Sequence, residues 1–408
     1  MLSFGRRSFL RFTVGGLAAG YAGLARSTPP LPTYSKVLTL GPGKEWRFNP
    51  LLIDINGDGH LDLVATARLV KPALHMWLGD GKGGLTPITP TWTDIGYAAL
   101  ATGDVNGDGF PDIVTASHFG DVQTLLADGK GGFREKIFRG NDGYVAAQLA
   151  DVNNDGHLDL ILVGYEKIGI EVYFGDGTGN WKLHTRLPEP RPGPTMPGRA
   201  LVVGDLNHDG HLDLVAAFQR WGVHIYYGDG KGAFVGGPAT FRPPEQTPES
   251  LALGDVNKDG HPDIVVNGNV GGRDQVNGPD AYLGDGHGGW KASSAGLKGL
   301  KFTSPGVALG DLDGDGNLDI VVAGGITGDV RDGYGLFWFR GDGKGGWRLV
   351  PESGLPSRGL SIIHSITLAD VDHDGLPEII ALSGGNNGGI TMWKQHSPSD
   401  VGGRGMAK

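Results

Sequence analysis

Residues 54–62 read Asp-Ile-Asn-Gly-Asp-Gly-His-Leu-Asp. Side chains bearing oxygen stand at positions one, three, five and nine, and a glycine stands at position six. The same pattern, Asp-x-Asn/Asp-x-Asp-Gly-x-x-Asp/Glu, begins again at Asp104, Asp151, Asp205, Asp255, Asp311 and Asp370. Successive copies are 50, 47, 54, 50, 56 and 59 residues apart. A fixed motif at that period marks a repeat architecture, so the length of 408 residues does not imply two or three unrelated domains.

The spacing has a chemical reason. A hard cation such as calcium takes six to eight oxygen ligands. In the first copy, Asp54, Asn56 and Asp58 alternate, so their side chains converge when the loop curls, and Gly59 permits the sharp turn. The carbonyl of His60 supplies a further vertex and Asp62 closes the shell. The logic is that of an EF-hand loop with the closing acid at position nine, followed by a β run, Asp62-Leu63-Val64-Ala65, instead of a helix.

The second copy offers Asp104, Asn106, Asp108, the carbonyl of Phe110 and Asp112; the third, Asp151, Asn153, Asp155, His157 and Asp159. Asp205, Asn207, Asp209, His211 and Asp213 form the fourth, and Asp255, Asn257, Asp259, His261 and Asp263 the fifth. The sixth has Asp311, Asp313, Asp315, Asn317 and Asp319; the seventh has Asp370, Asp372, Asp374, Leu376 and Glu378. Position seven contributes its backbone carbonyl, so the imidazoles at His60, His157, His211 and His261 are expected to face solvent.

These loops hold 23 of the 45 Asp and Glu residues. Such crowding of like charge calls for bound cations, and the reading is up to seven calcium ions. Copies six and seven carry an extra carboxylate, Asp313 and Asp372, and are expected to bind most tightly, with Glu378 making the geometry of copy seven the odd one.

Around each loop the order of segments is constant. In the second repeat a short apolar run, Tyr97 to Thr102, precedes the loop; Asp112 to Ala116, Val122 to Ala127 and Phe133 to Phe138 follow. That is four short strands per repeat, joined by turn residues. A Gly-Asp-Gly-x-Gly turn recurs at Asp80, Asp128, Asp176, Asp229, Asp285 and Asp342, mostly followed by Phe or Trp. No helix pattern follows it, so it reads as a hairpin turn with an aromatic packing between neighbours, not as a phosphate cradle. Four antiparallel strands repeated radially predict an all-β, seven-bladed β-propeller. The seventh repeat ends after Ile390-Thr391-Met392-Trp393 without an outer strand, and Tyr34 to Leu40 has that strand's character. The N-terminal strand is therefore expected to complete the last blade and close the ring, removing two exposed edges.

Over residues 34–396 the chain resembles the FG-GAP/VCBS repeat family, the propeller type also seen at the head of integrin α subunits. The resemblance implies calcium ligands at the Asp and Asn positions named above. The family includes adhesion modules, lectins, lyases and proteins without known activity, so the resemblance leaves the function open.

Strand parity says where a ligand would sit. The loops from first to second strand and from third to fourth strand share one face, and these are the acidic loops and the glycine turns. The opposite face receives the variable connections, residues 188–199, 242–249, 267–280, 324–334 and 351–364. Innermost strands begin there near Arg47, Tyr97, Tyr144, Arg199, Glu249 and His364, and second strands end near Arg68, His118, Tyr165 and Arg220-Trp221. A ring of Arg, His, Tyr, Glu and Trp suits an anionic or sugar-like ligand, guanidinium to carboxylate and aromatic face to pyranose.

Composition narrows the classes. Cysteine is absent, which excludes disulfides, thiolate metal sites and a cysteine nucleophile. The net charge of −10 argues against nucleic acid as a partner. The 74 glycines follow no collagen period and mean many tight turns. Arg6-Arg7-Ser8-Phe9-Leu10-Arg11 resembles a twin-arginine export motif, and Gly23-Leu24-Ala25 suits a signal peptidase. Residues 1–25 thus read as a signal peptide, 26–396 as the propeller and 397–408 as a tail, with no stable membrane span once the leader is cleaved. The expected product is an exported monomer, in the periplasm, secreted or on the cell surface.

The leading expectation is a non-catalytic module that binds carbohydrate or another extracellular protein. A carbohydrate-active enzyme such as a polysaccharide lyase is the alternative, with Tyr97, Tyr144 or His364 taking a proton and Arg47 or Arg199 offsetting a substrate carboxylate. A passive structural repeat protein is the third.

Overall fold

A computed structural model describes residues 31–165, 169–187, 198–219, 221–241, 247–269, 278–327, 329–385 and 387–396. The proposed leader, the tail, Arg220 and most of three variable connections lie outside the described residues.

Each repeat forms one antiparallel sheet. In the third blade, Tyr144–Ala150, Asp159–Gly164, Ile170–Gly175 and Trp181–Leu187 lie side by side in chain order from the axis outward. Six further sheets repeat the arrangement, making a seven-bladed β-propeller. The second strands are buried almost throughout, as in Asp112–Ser117 and Asp213–Phe218. Neighbouring blades cover them on both faces, which is why they read as unbroken apolar runs. The outer strands Phe133–Arg139 and Trp181–Leu187 alternate half-buried and exposed positions because one face meets water. Seven apolar clusters fill the seven gaps between adjacent blades. The aromatic after the glycine turn bridges blades: Trp181 Nε1 donates to Thr124 Oγ1 at 2.8 Å and Trp347 Nε1 to the Ser293 carbonyl at 3.0 Å.

The ring closes as the truncated last repeat requires. Thr33–Leu40 pairs antiparallel with Ile390–His396, from Thr33 opposite His396 to Leu40 opposite Ile390. It becomes the outer strand of the seventh blade, and Tyr34 packs edge-on against Trp338 of the sixth. Among the described residues no helix is long and apolar enough to cross a membrane.

Four of the innermost strands share an irregularity at the end opposite the acidic loops. Register shifts fall between Tyr144 and Ala146, Gly198 and Ala200, Pro248 and Ser250, and Ile363 and Ser365. Each is a one-residue bulge, which redirects the extra side chain. The bulged residues are Val145, Arg199, Glu249 and His364. In the first blade the interruption is larger: Glu45–Trp46 and Leu51–Ile53 both pair with Asp62–Arg68, and residues 47–50 loop out between them.

Candidate functional site

The acidic loops are built by their own backbone. In the first, Asp54 Oδ1 accepts from the amides of Gly57 and Asp58, and Oδ2 from Gly59. Asn56 Nδ2 donates to Asp58 Oδ2 at 2.9 Å, so positions one, three and five share one concave side. Gly59 has φ of +85°, the left-handed region that glycine enters without penalty, and all six equivalents share it. Position four lies there too, although four of the seven residues, Asn154, His208, Lys258 and His373, are not glycine.

The closing acid is fully buried. Asp62 accepts from the amide of Ile55 on Oδ2 and from Gly79 on Oδ1, both at 2.8 Å, tying its loop to the end of the third strand. A side chain at Gly79 would meet the Leu61 carbonyl at 2.2 Å, so the closeness of that tie requires glycine. Burial pushes the closing acids up, to about 6 at Asp112, Asp159 and Asp263 and about 7 at Asp319 and Glu378, and neighbouring loop carboxylates add to the effect at each. An all-oxygen donor set with uncompensated negative charge fits a hard divalent cation. Aspartates 311, 313 and 315, and 370, 372 and 374, bring three carboxylates within 4.8 Å of one another. Against these two triplets the structure sets Arg340 and Lys394, which the reading by carboxylate count did not include. The glycine turns are self-contained: Asp80 Oδ1 accepts from the amides of Lys82 and Gly84 at 2.8 Å.

The opposite end of the channel is a pocket of about 320 Å³ lined by Arg47, Phe48, Arg68, Tyr97, His118, Val145, Tyr165, Arg199, Glu249, Pro305, Ile362 and His364. A deeper cavity of about 250 Å³ continues from it and shares Arg47, Arg199, Glu249 and His364. Arg220, one of the eleven residues expected at the mouth, lies outside the described residues, and eight of the other ten are brought together. Tyr144 and Trp221 are not. In the third blade the bulged residue is Val145, so Tyr144 turns into the gap between blades, fully buried, and its hydroxyl donates to Glu171 Oε2 at 2.7 Å. Burial, with Glu171 and Tyr173, drives its phenol far above the ordinary range. Trp221 packs into the apolar cluster between the third and fourth blades. Phe48 was missed; its signal was its place six residues before a loop, where Arg199, Glu249 and His364 also stand.

One wall of the mouth is an aromatic stack. Phe48 lies nearly parallel to Tyr97 at 5.4 Å, Tyr97 stacks on His118 at 5.0 Å, and Tyr165 tilts against His118 at 4.1 Å. The Arg68 guanidinium sits 5.9 Å from the Tyr97 ring centroid. Glu45 bridges Arg47 at 2.6 Å and Arg68 at 3.3 Å. Arg199 Nη2 donates to Gln219 Oε1 at 2.8 Å, and its Nε is buried without a hydrogen-bond partner among the described residues. Burial raises the Glu249 carboxyl against the pull of Arg199 and Arg47. Burial, then the Arg47 charge, lowers His364 to about 4, so its imidazole is neutral at pH 7. A groove of about 730 Å³ between the first and second blades shares Arg68, Tyr97 and His118 and exposes Leu69 and Phe119.

Acidic loops on one face of seven four-stranded blades define an all-β propeller of acidic-loop type. The FG-GAP-like repeat model matches residues 54–115, 104–162, 151–216 and 205–266, together just over half of the sequence. The chain belongs to that family. No curated protein matches it. Among solved structures it is similar to an Agrocybe aegerita lectin described as recognising non-reducing terminal N-acetylglucosamine, at 19% identity and a TM-score of 0.50, covering 78% of this chain and 84% of that one. It is also similar to U3-55K, at 10% identity and a TM-score of 0.55, covering 88% of this chain and 99% of that one. At these identities the likeness is one of fold.

Proposed function

We propose that this chain is an exported, calcium-loaded binding module whose channel mouth grips an acidic carbohydrate. The observation that carries the reading is the convergence of Arg47, Arg68 and Arg199 with the Phe48–Tyr97–His118–Tyr165 stack in one pocket. A uronate offers a carboxylate for the guanidiniums and an apolar ring face for the aromatics. Glu249 and neutral His364 accept from sugar hydroxyls. The groove over the first two blades gives a chain of sugars a path outward. A propeller of similar shape, the Agrocybe aegerita lectin, recognises a sugar, which is consistent with such a ligand on this scaffold.

The lyase alternative draws less support, because burial raises the Tyr97 phenol away from the range of a base at neutral pH. Titration with polyuronate oligosaccharides tests both readings. Arg199→Ala should weaken binding about tenfold or more, while Arg134→Ala on an outer strand should change nothing. Equal losses from both would mean diffuse charge attraction, and release of new reducing ends would mean an enzyme.

Export rests on the paired arginines at positions 6 and 7 and agrees with the extracellular or periplasmic setting typical of FG-GAP repeats. Changing both to Lys should hold the chain in the cytoplasm; unchanged export would remove the twin-arginine route.

A further inference from the structure

The seven acidic loops are not equivalent. Position three is Asn in the first five and Asp in the last two. In each of the five, the Asn Nδ2 donates to the carboxylate at position five, over 2.9, 2.9, 2.9, 3.0 and 2.7 Å in chain order. A carboxylate has no proton to donate, and Asp at position three would set two anions face to face.

In the last two loops a basic side chain takes the amide's place. Arg340 Nε lies 2.6 Å from Asp313 Oδ2, and Arg340 Nη2 lies 2.8 Å from Asp315 Oδ2. Lys394 Nζ bonds Asp372 and lies 3.0 Å from Asp374 Oδ2. The two cations occupy one structural position. Ile320 pairs with Phe339 and Ile379 with Trp393, and Arg340 and Lys394 are the next residues along the third strands. By the same register the other blades hold Leu78, Leu126, Phe174, Tyr227 and Leu283 there. Asn goes with an uncharged residue five times, and Asp goes with a cation twice.

We propose that Arg340 and Lys394 are resident cations of the sixth and seventh loops, closing them without metal and confining calcium uptake to the first five. The fourth acid of these loops is offset by the +1 of its partner, so the charge offered to a metal is no greater than elsewhere. In the first five loops an incoming ion displaces a neutral amide that swings aside. In the last two it must expel or sit beside a full positive charge already holding both carboxylates. The all-carboxylate triplets, the strongest metal candidates by charge count, thus become the two loops that need none.

The inference rests on the calcium reading of the other loops, and its test separates the two. Calorimetric titration of the chelator-stripped full chain with calcium should give five sites, and the double variant D313N/R340L, which copies the first five loops, should give six. Six or more sites in the natural chain would overturn the proposal and leave the calcium reading intact. In excess chelator, Arg340→Leu should lower the melting temperature by about 4 °C, and adding Asp313→Asn should restore most of it. Lys394→Leu with Asp372→Asn should behave alike. An unchanged melt in Arg340→Leu, or no rescue, would overturn the resident-cation role. No calcium uptake at all, with the chelator results as expected, would support that role and overturn the calcium reading.

Discussion

Glu249 is the residue on which the chemistry of the mouth turns. Its carboxyl sits above the usual carboxylate range because burial penalises its charge more than Arg199 and Arg47 favour it. It therefore gains its proton at a higher pH than an ordinary glutamate, and the mouth becomes more positive when it does. His364, held near 4, stays neutral between pH 5 and 7 and adds nothing to the change. Affinity for a polyuronate oligosaccharide should rise from pH 7 to pH 5, while the ligand keeps its own charge. Glu249→Gln should bind about three- to tenfold more tightly at pH 7 and lose most of the pH dependence. Titrations of both proteins at the two pH values check this; parallel pH profiles would take Glu249 out of the site.

At the scale of the element, the acidic loop spends two residues in the left-handed region. Position six is glycine in every copy, whereas position four holds Lys258 at φ +61° and His208 at +56°. An L side chain there is strained by about 1–2 kcal/mol, partly offset by the lower entropy of the unfolded chain. Lys258→Gly should therefore raise stability by about 1 kcal/mol with no loss of ligand binding, read from denaturant unfolding. A drop in stability would show that the Lys258 side chain itself holds the loop. The bulges at the other end of the innermost strands work differently. One extra residue turns a side chain out of the packed gap and into the channel, and in three blades that residue is Arg199, Glu249 or His364.

Across the whole molecule, stability is shared by seven similar interfaces and one seam. The seam is non-covalent, so any loop that loosens weakens the ring everywhere. Calcium at about 2 mM, on sites of Kd about 0.3 mM, adds about 1.2 kcal/mol per site by linkage. Five such sites make about 6 kcal/mol, and chelation should lower the melting temperature by about 5–10 °C, reversed by calcium but not by magnesium at equal concentration. A melt indifferent to chelator would sink the calcium reading.

The repeat, its ring and its closure were legible in the sequence because each is written locally. Nine residues with oxygen at alternate positions and glycine at the turn form one loop, and seven such loops at one period form one ring. The missing outer strand of the last repeat pointed to Tyr34–Leu40, and counting strands per blade put the variable connections opposite the acidic loops. What the tertiary structure alone decided depends on register. A single bulge sets whether residue 144 or 145 faces the channel, and it sent Tyr144 into the core and Val145 to the mouth. Trp221 looked like a rim aromatic but had an apolar gap between blades to fill. Asp313 and Asp372 read as extra ligands by charge count, and only strand pairing brought Arg340 and Lys394 against them from more than twenty residues away. A strand's side chains alternate with a period of two, so one inserted residue reverses every orientation after it, and only the hydrogen-bonded sheet fixes where that insertion falls.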